Sequence, residues 1–168
     1  MIATELHVLE VEVLTPHQRL TGALSIRGLL GSLLNDPAAA SLRLSGVATE
    51  PIVGGVPAVH DVPEAVLQKN RLAVVAPVDE EPANSDGMEV RRRYLLAEGQ
   101  QFTVKGFIEV GAASADSMHA EMLMKNAFFK VVDAVVMIHG EGQEPKKSWG
   151  PRPVVYVNTS LVDAIFLG

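Results

Sequence analysis

The sequence predicts a mostly β (α+β) protein: two tandem ββαβββ-like repeats, packed with pseudo-twofold symmetry as small barrels or a sandwich. Three observations predict it. Apolar and polar residues alternate with period two through most apolar stretches, as in Glu10-Val11-Glu12-Val13, the pattern of a half-buried strand. The phrase HQRLTGALSIRG at 17–28 returns as QQFTVKGFIEVG at 100–111, so that Gly22, Leu24 and Ile26 match Gly106, Ile108 and Val110. Between the two copies lies VDEEPANSDG, an acidic stretch with a proline, a glycine and no packing pattern. The divisions that follow are a first β-rich repeat at 1–77, an acidic linker at 78–87 and a second β-rich repeat at 88–168. A repeat of that size is marginal alone, so shared cores are expected.

Each element has its own reason. Leu6–Val13 alternates and gives the first strand. Thr15-Pro16-His17 is a turn, because proline fixes φ and donates no ladder hydrogen bond. Leu20, Leu24 and Ile26 face one way on a second strand, where Gly22 marks a bulge or a close backbone approach. Leu29, Leu30, Leu33 and Leu34 have helical spacing, and Asn35-Asp36-Pro37 stops them. Leu42 and Leu44 begin a third strand, a Gly/Pro-rich loop runs from Thr49 to Pro63, and two short apolar runs follow at 65–68 and 72–77. Lys69-Asn70-Arg71 between those runs is expected to turn a hairpin, since asparagine tolerates positive φ.

The second half repeats the order. Met88–Leu96 and Phe102–Val110 are strands separated by a turn at Gly99. Asp116–Asn126 is the clearest helix, with Asp116 or Ser117 placed to accept its first N–H groups, and with Met118, Met122 and Met124 as core filler. Phe129–Ile138 is a long apolar strand, Gly140–Pro151 a second Gly/Pro loop, and Val154–Val157 and Leu161–Leu167 close the chain around Asn158-Thr159-Ser160. The third strands match at Leu42/Phe129 and Leu44/Val131. The run LVDAIFLG is too continuous for a strand with one wet face and is expected to be covered on both sides, by the other half or by another subunit.

Composition narrows the function classes. The chain has 168 residues, 48% of them hydrophobic and only 5% aromatic, with a formal charge of −6. That charge repels phosphate backbones, and few rings are present for stacking bases, so general nucleic-acid binding is disfavoured. Without cysteine there is no disulfide, thiolate metal site or cysteine nucleophile. The N-terminal stretch carries Glu5, Glu10 and Glu12 and reads as a strand rather than a leader, and no run is long enough for a membrane-spanning helix. A cytoplasmic protein is expected.

Four constellations could carry chemistry. GEGQEPKKSWGPRP places Trp149, the single tryptophan, among Lys146, Lys147 and Arg152; a tryptophan flanked by cations can grip an anionic or aromatic partner, or fold back as a lid. Arg91 and Arg93 share one face of a strand with Arg92 opposite, and would pair with the acidic linker or hold an anionic ligand. His60 and Asp61, with Glu64 in the same loop, have the donors of a metal or acid–base site, which His139 would join if the halves pack suitably. His119 and Glu121 point about 200° apart on a helix, so they share no metal and read as two solvent-facing polar residues. No GxGxxG, GK[ST], HExxH or GxSxG occurs. The sequence therefore implies no cofactor, no metal and no catalytic residue.

The succession VEVLTPHQRLTGALSI, SLLND, LRLSG, with its second form FTVKGFIEV, EMLMKN, FFKVVDAVV and VYVNTSLVDAIFL, resembles a bacterial family of small β-rich domains of unknown function, here twice over. The resemblance implies a short helix between the second and third strands and no activity. The reading that results is a non-catalytic cytoplasmic binding or assembly module that meets a protein partner or itself as a homo-oligomer. It would use the Trp149 loop and its counterpart around Ile52–Pro63. A module binding an anionic ligand or nucleic acid through Arg91, Arg93, Lys146, Lys147 and Arg152 is the first alternative. A metal-dependent or hydrolytic enzyme centred on His60 and Asp61 is the second.

Overall fold

Alternating sequence becomes antiparallel pairing throughout. The computed structural model describes residues 5–79, 88–139 and 147–168. The chain divides into two compact units, Met1–Asp79 and Glu80–Gly168.

The first unit contains β1 (Leu6–Leu14), β2 (Gln18–Arg27), α1 (Leu30–Asn35), β3 (Ser41–Pro51), β4 (Val62–Gln68) and β5 (Val74–Pro77). Its strands lie in the order β5-β1-β2-β3-β4. Thr15 closes the first hairpin: its hydroxyl accepts from the amides of His17 and Gln18, and its own N–H donates to the Gln18 carbonyl at 2.9 Å. Val11, Val13, Leu24, Ile26, Leu42 and Leu44 form the buried rows of the sheet, and α1 adds Leu30 and Leu34 to that core.

The second unit contains β6 (Val90–Glu98), β7 (Phe102–Gly111), α2 (His119–Lys125), β8 (Phe128–Ile138), β9 (Lys147–Asn158) and β10 (Ala164–Leu167), in the order β10-β6-β7-β8-β9. One turn of 3-10 helix, Asp116–Met118, leads into α2. Leu95, Ala97, Val104, Ile108, Val131 and Val155 are the corresponding buried residues.

The registers of the two units match pair for pair. Val11 faces Gly22 and Leu95 faces Gly106. The next ladder slips by one residue at Gly22, between Thr21 and Ala23, and again at Gly106, between Lys105 and Phe107. The bulged partner strand turns to positive φ at Gly46 in β3 and at Asp133 in β8. Leu42 faces Leu67, and Phe129 faces Val157. Each fourth strand ends in a single 3-10 turn, Lys69–Arg71 or Thr159–Leu161. After it the last strand pairs with the first, Val11 against Pro77 and Glu98 against Ala164.

Several expectations change here. Neither unit is a closed barrel: each has one open sheet, because the last strand returns to the first and the fourth pairs only with the third in its own unit. Lys69-Asn70-Arg71 is therefore not a hairpin turn, since β4 and β5 belong to opposite ends of the unit's sheet. The helix expected at Asp116–Asn126 begins as a 3-10 turn capped by no side chain. Met118, Met122 and Met124 are exposed rather than core filler. The run expected to be covered on both sides, by the other half or by another subunit, ends in β10, which is half-exposed within the single chain, with Phe166 more open than its neighbours.

The two helix ends are held by different chemistry at equivalent places. Lys69, buried despite its charge, donates from Nζ to the Leu33 and Asp36 carbonyls at 3.3 and 2.5 Å. Thr159 donates from Oγ1 to the Asn126 carbonyl at 2.6 Å. Both satisfy carbonyls that a helix C-terminus leaves open.

Glycine at the ladder slip is required by space. A Cβ on Gly106 would lie 2.6 Å from Val131 Cγ1 and 2.8 Å from the Val132 carbonyl oxygen, whereas one on Gly22 would meet nothing closer than 3.2 Å. Gly106→Ala is expected to cost about 1–3 kcal/mol, and Gly22→Ala distinctly less. Equilibrium denaturation in urea of the two variants checks the order.

Candidate functional site

Polar side chains converge most densely under the start of α2. Period two in β6 puts Arg91, Arg93, Leu95 and Ala97 on the face with the buried row, and Val90, Arg92, Tyr94 and Leu96 on the other. The segment Ser114–His119 crosses that first face, and the two arginines meet it. Arg91 Nη2 donates to the Ser114 carbonyl at 3.1 Å and to the Asp116 carboxylate. Arg93 donates from Nη1 to the Asp116 carbonyl at 2.8 Å and to His119 Nδ1 at 3.0 Å, and from Nε to the Gly168 carbonyl at 3.2 Å. His119 Nε2 lies 2.8 Å from Ser114 Oγ, which is 2.6 Å from the Gly111 carbonyl oxygen.

His119 is only 1% exposed. This corrects the solvent-facing reading of MHAEM, which rested on the polarity of the residue alone. No signal in the sequence placed Ser114, Asp116 and His119 with the arginines. The pairing of β6 with β7 and the length of the turn at 112–118 bring them together, and neither is a local property.

The serine, histidine and aspartate suggest a nucleophilic triad, but the hydrogen bonds run the wrong way. An arginine cannot accept, so a neutral His119 receives the Arg93 hydrogen on Nδ1 and carries its own proton on Nε2. That proton points to Ser114 Oγ, and the serine hydrogen goes to Gly111. A general base would need the Nε2 lone pair facing the hydroxyl. In addition, Asp116 Oδ1 is 3.9 Å from Nδ1 and is bonded to Arg91 instead. The arrangement fixes α2 in place and leaves the serine unactivated.

Electrostatics follow from the same contacts. The Arg91 guanidinium, through its hydrogen bond and then its charge, with Arg93 adding, holds the Asp116 carboxyl below the ordinary carboxylate range. The Asp116 side chain is nevertheless 63% exposed. Arg92, on the opposite face, pairs with Asp133, the residue at positive φ in β8. The arginine run thus finds its carboxylates in the fold of its own unit.

The other sequence candidates do not join this cluster. Trp149 lies within β9 rather than a loop and is 3% exposed, with the Arg152 guanidinium 5.3 Å from its ring centroid. Its indole is buried and its face is not offered to solvent. Lys147 begins β9 opposite Ile138, and Lys146 lies outside the described residues. His60 and Asp61 are both exposed at the entry to β4, Asp61 at a φ of 53°. His139 is held by Thr103 at 2.7 Å. Among the described residues no three His, Cys, Asp or Glu side chains could share a metal ion, and no helix is long and apolar enough to cross a membrane.

No protein-family model matches the chain, and no curated protein or solved structure is significantly similar to it.

Two measurements check the cluster. NMR titration is expected to give Asp116 a midpoint below about 3.9, with Arg91→Ala returning it toward that ordinary value. Because the folded-state carboxyl is depressed, its stabilising share is present above the unfolded value and lost as pH falls through the folded one. Separately, His119→Leu removes an acceptor from Arg93 and is expected to destabilise, while Arg93→Leu with His119→Leu recovers most of the loss. A double-mutant cycle should show coupling of about 1–3 kcal/mol between the two.

Proposed function

We propose that the chain is a tandem duplication of one ββαβββ unit, related to the small β-rich bacterial domains it resembles. We propose further that it works as a non-catalytic assembly module whose first partner is a second copy of itself. The matched registers support the duplication. In two copies of one scaffold, any difference in surface that the fold does not need points to use.

One such difference carries the reading. On the outer face of the second unit, Tyr94 packs edge-on against Phe107 with centroids 6.1 Å apart, and Leu96 faces Phe166 across the β6–β10 ladder. The same four register positions in the first unit hold Glu10, Ala23, Glu12 and Ala76. Tyr94 and Phe166 are 44% and 53% exposed. An aromatic cluster on an outer sheet face, beside a short end strand without proline or charge, is the composition of a contact surface and a liability for a monomer. Binding through the Trp149 loop is not part of this reading, since that indole is buried. Absence of cysteine favours a reducing compartment, and we place the protein in the cytoplasm on that ground.

Sedimentation or light scattering tests it. Wild type is expected to self-associate at concentrations up to about 100 µM, where an association worth about 5.5 kcal/mol is half complete. Tyr94→Glu with Phe166→Glu should leave a folded monomer by circular dichroism. A wild-type chain that is monomeric over that whole range overturns the reading.

A further inference from the structure

We propose that Arg91 and Arg93 form a binding site for a dianionic phosphate group on a small molecule, and that Asp116 occupies this site in the present structure as a tethered competitor. The inference goes beyond self-association and borrows from that reading only the matching of positions between units.

The first argument is the internal control. Arg91 faces Val110 and Arg93 faces Ile108, the registers held in the first unit by His7 facing Ile26 and Leu9 facing Leu24. The first helix begins with Leu30, which is fully buried. The same scaffold therefore holds its first helix with no arginine at either register position. Two arginines and a buried histidine are not what the architecture demands, and removing charged groups from water costs free energy that an apolar anchor does not.

Charge is the second argument. Arg91 donates to the Asp116 carboxylate, and Arg93 beside it donates to the Asp116 main-chain carbonyl, to His119 and to the Gly168 carbonyl oxygen. A dianion in place of the carboxylate would match the charge of the two neighbouring guanidinium groups. Guanidinium groups recognise phosphate through paired, charge-assisted hydrogen bonds. His119 is a positioning residue: its Nδ1 accepts from Arg93 and aims that side chain toward Asp116. The third argument is accessibility. The Asp116 carboxylate is mostly exposed, and exposed ion pairs exchange partners readily, so a solute can reach the guanidinium groups by displacing it.

The experiment titrates a phosphate monoester, methyl phosphate, followed by NMR shifts of the Arg91 and Arg93 side chains, at pH about 7.5, where the second ionisation of a monoester is essentially complete. Removing a tethered competitor removes its effective concentration, so Asp116→Ala is expected to bind methyl phosphate at least about tenfold more tightly than wild type. Adding Arg91→Ala should abolish the gain. Acetate at matched ionic strength should compete poorly, whereas an equal response to acetate and methyl phosphate would mean diffuse charge attraction and overturn the proposal. A folded Asp116→Ala protein with no gain in affinity for methyl phosphate overturns it as well. If that variant unfolds, Asp116→Asn, uncharged and equal in size, carries the same expectation, and a folded Asp116→Asn protein with no gain overturns the proposal in the same way. Self-association is read separately, through Tyr94 and Phe166, so either idea can fail without the other.

Discussion

Each sheet turns on a single close approach. At Gly106 the neighbouring strand comes so near that no side chain fits, and the ladder slips there by one residue. The slip lets β8 carry a bulge at Asp133 and still present alternate residues to the core beyond it. Gly22 and Gly46 do the same for the first unit. A bulge of this kind increases local twist and bends the strand. Buried residues lie on both sides of the slip in each unit.

Around this common skeleton the two units solve the same problems with different chemistry. Lys69 and Thr159 both close a helix end, one with an ammonium and one with a hydroxyl. Leu30 and His119 both stand at a helix start, one as a buried leucine and one in a chain of hydrogen bonds from Arg93 to Gly111. A satisfied polar chain can replace an apolar contact at small net cost, because the expense lies in leaving a buried group unpaired. Such substitutions keep the backbone while freeing its surfaces to differ.

Much of this skeleton was legible in the sequence, for a definite reason. Period-two alternation and the recurring glycine report backbone geometry directly, so the strands, the two helices and the equivalence of Leu42 with Phe129 could be read from residue spacing. Strand order was not legible. Nothing local says that Val74–Pro77 returns to β1 rather than turning back on β4, because that choice is made by burial of the whole run. The candidate site was half legible. Arg91 and Arg93 stood out as a pair on one face, but their partners come from a turn more than twenty residues later in the chain. Trp149 misled for the opposite reason: glycine, proline and lysine around it suggested a loop, yet the segment pairs with β8 as a strand.

The return of each last strand to its first has a consequence for biosynthesis. Val11 waits for Pro77, and Glu98 waits for Ala164. At ribosomal speeds of about 5–20 residues per second, the leading strand of each unit spends roughly 3–13 s with one edge open before its mate exists. During each wait the open edge can pair with the wrong strand. Arg92, Tyr94 and Leu96 in β6, where β1 has Val8, Glu10 and Glu12, make the two leading strands poor substitutes for one another.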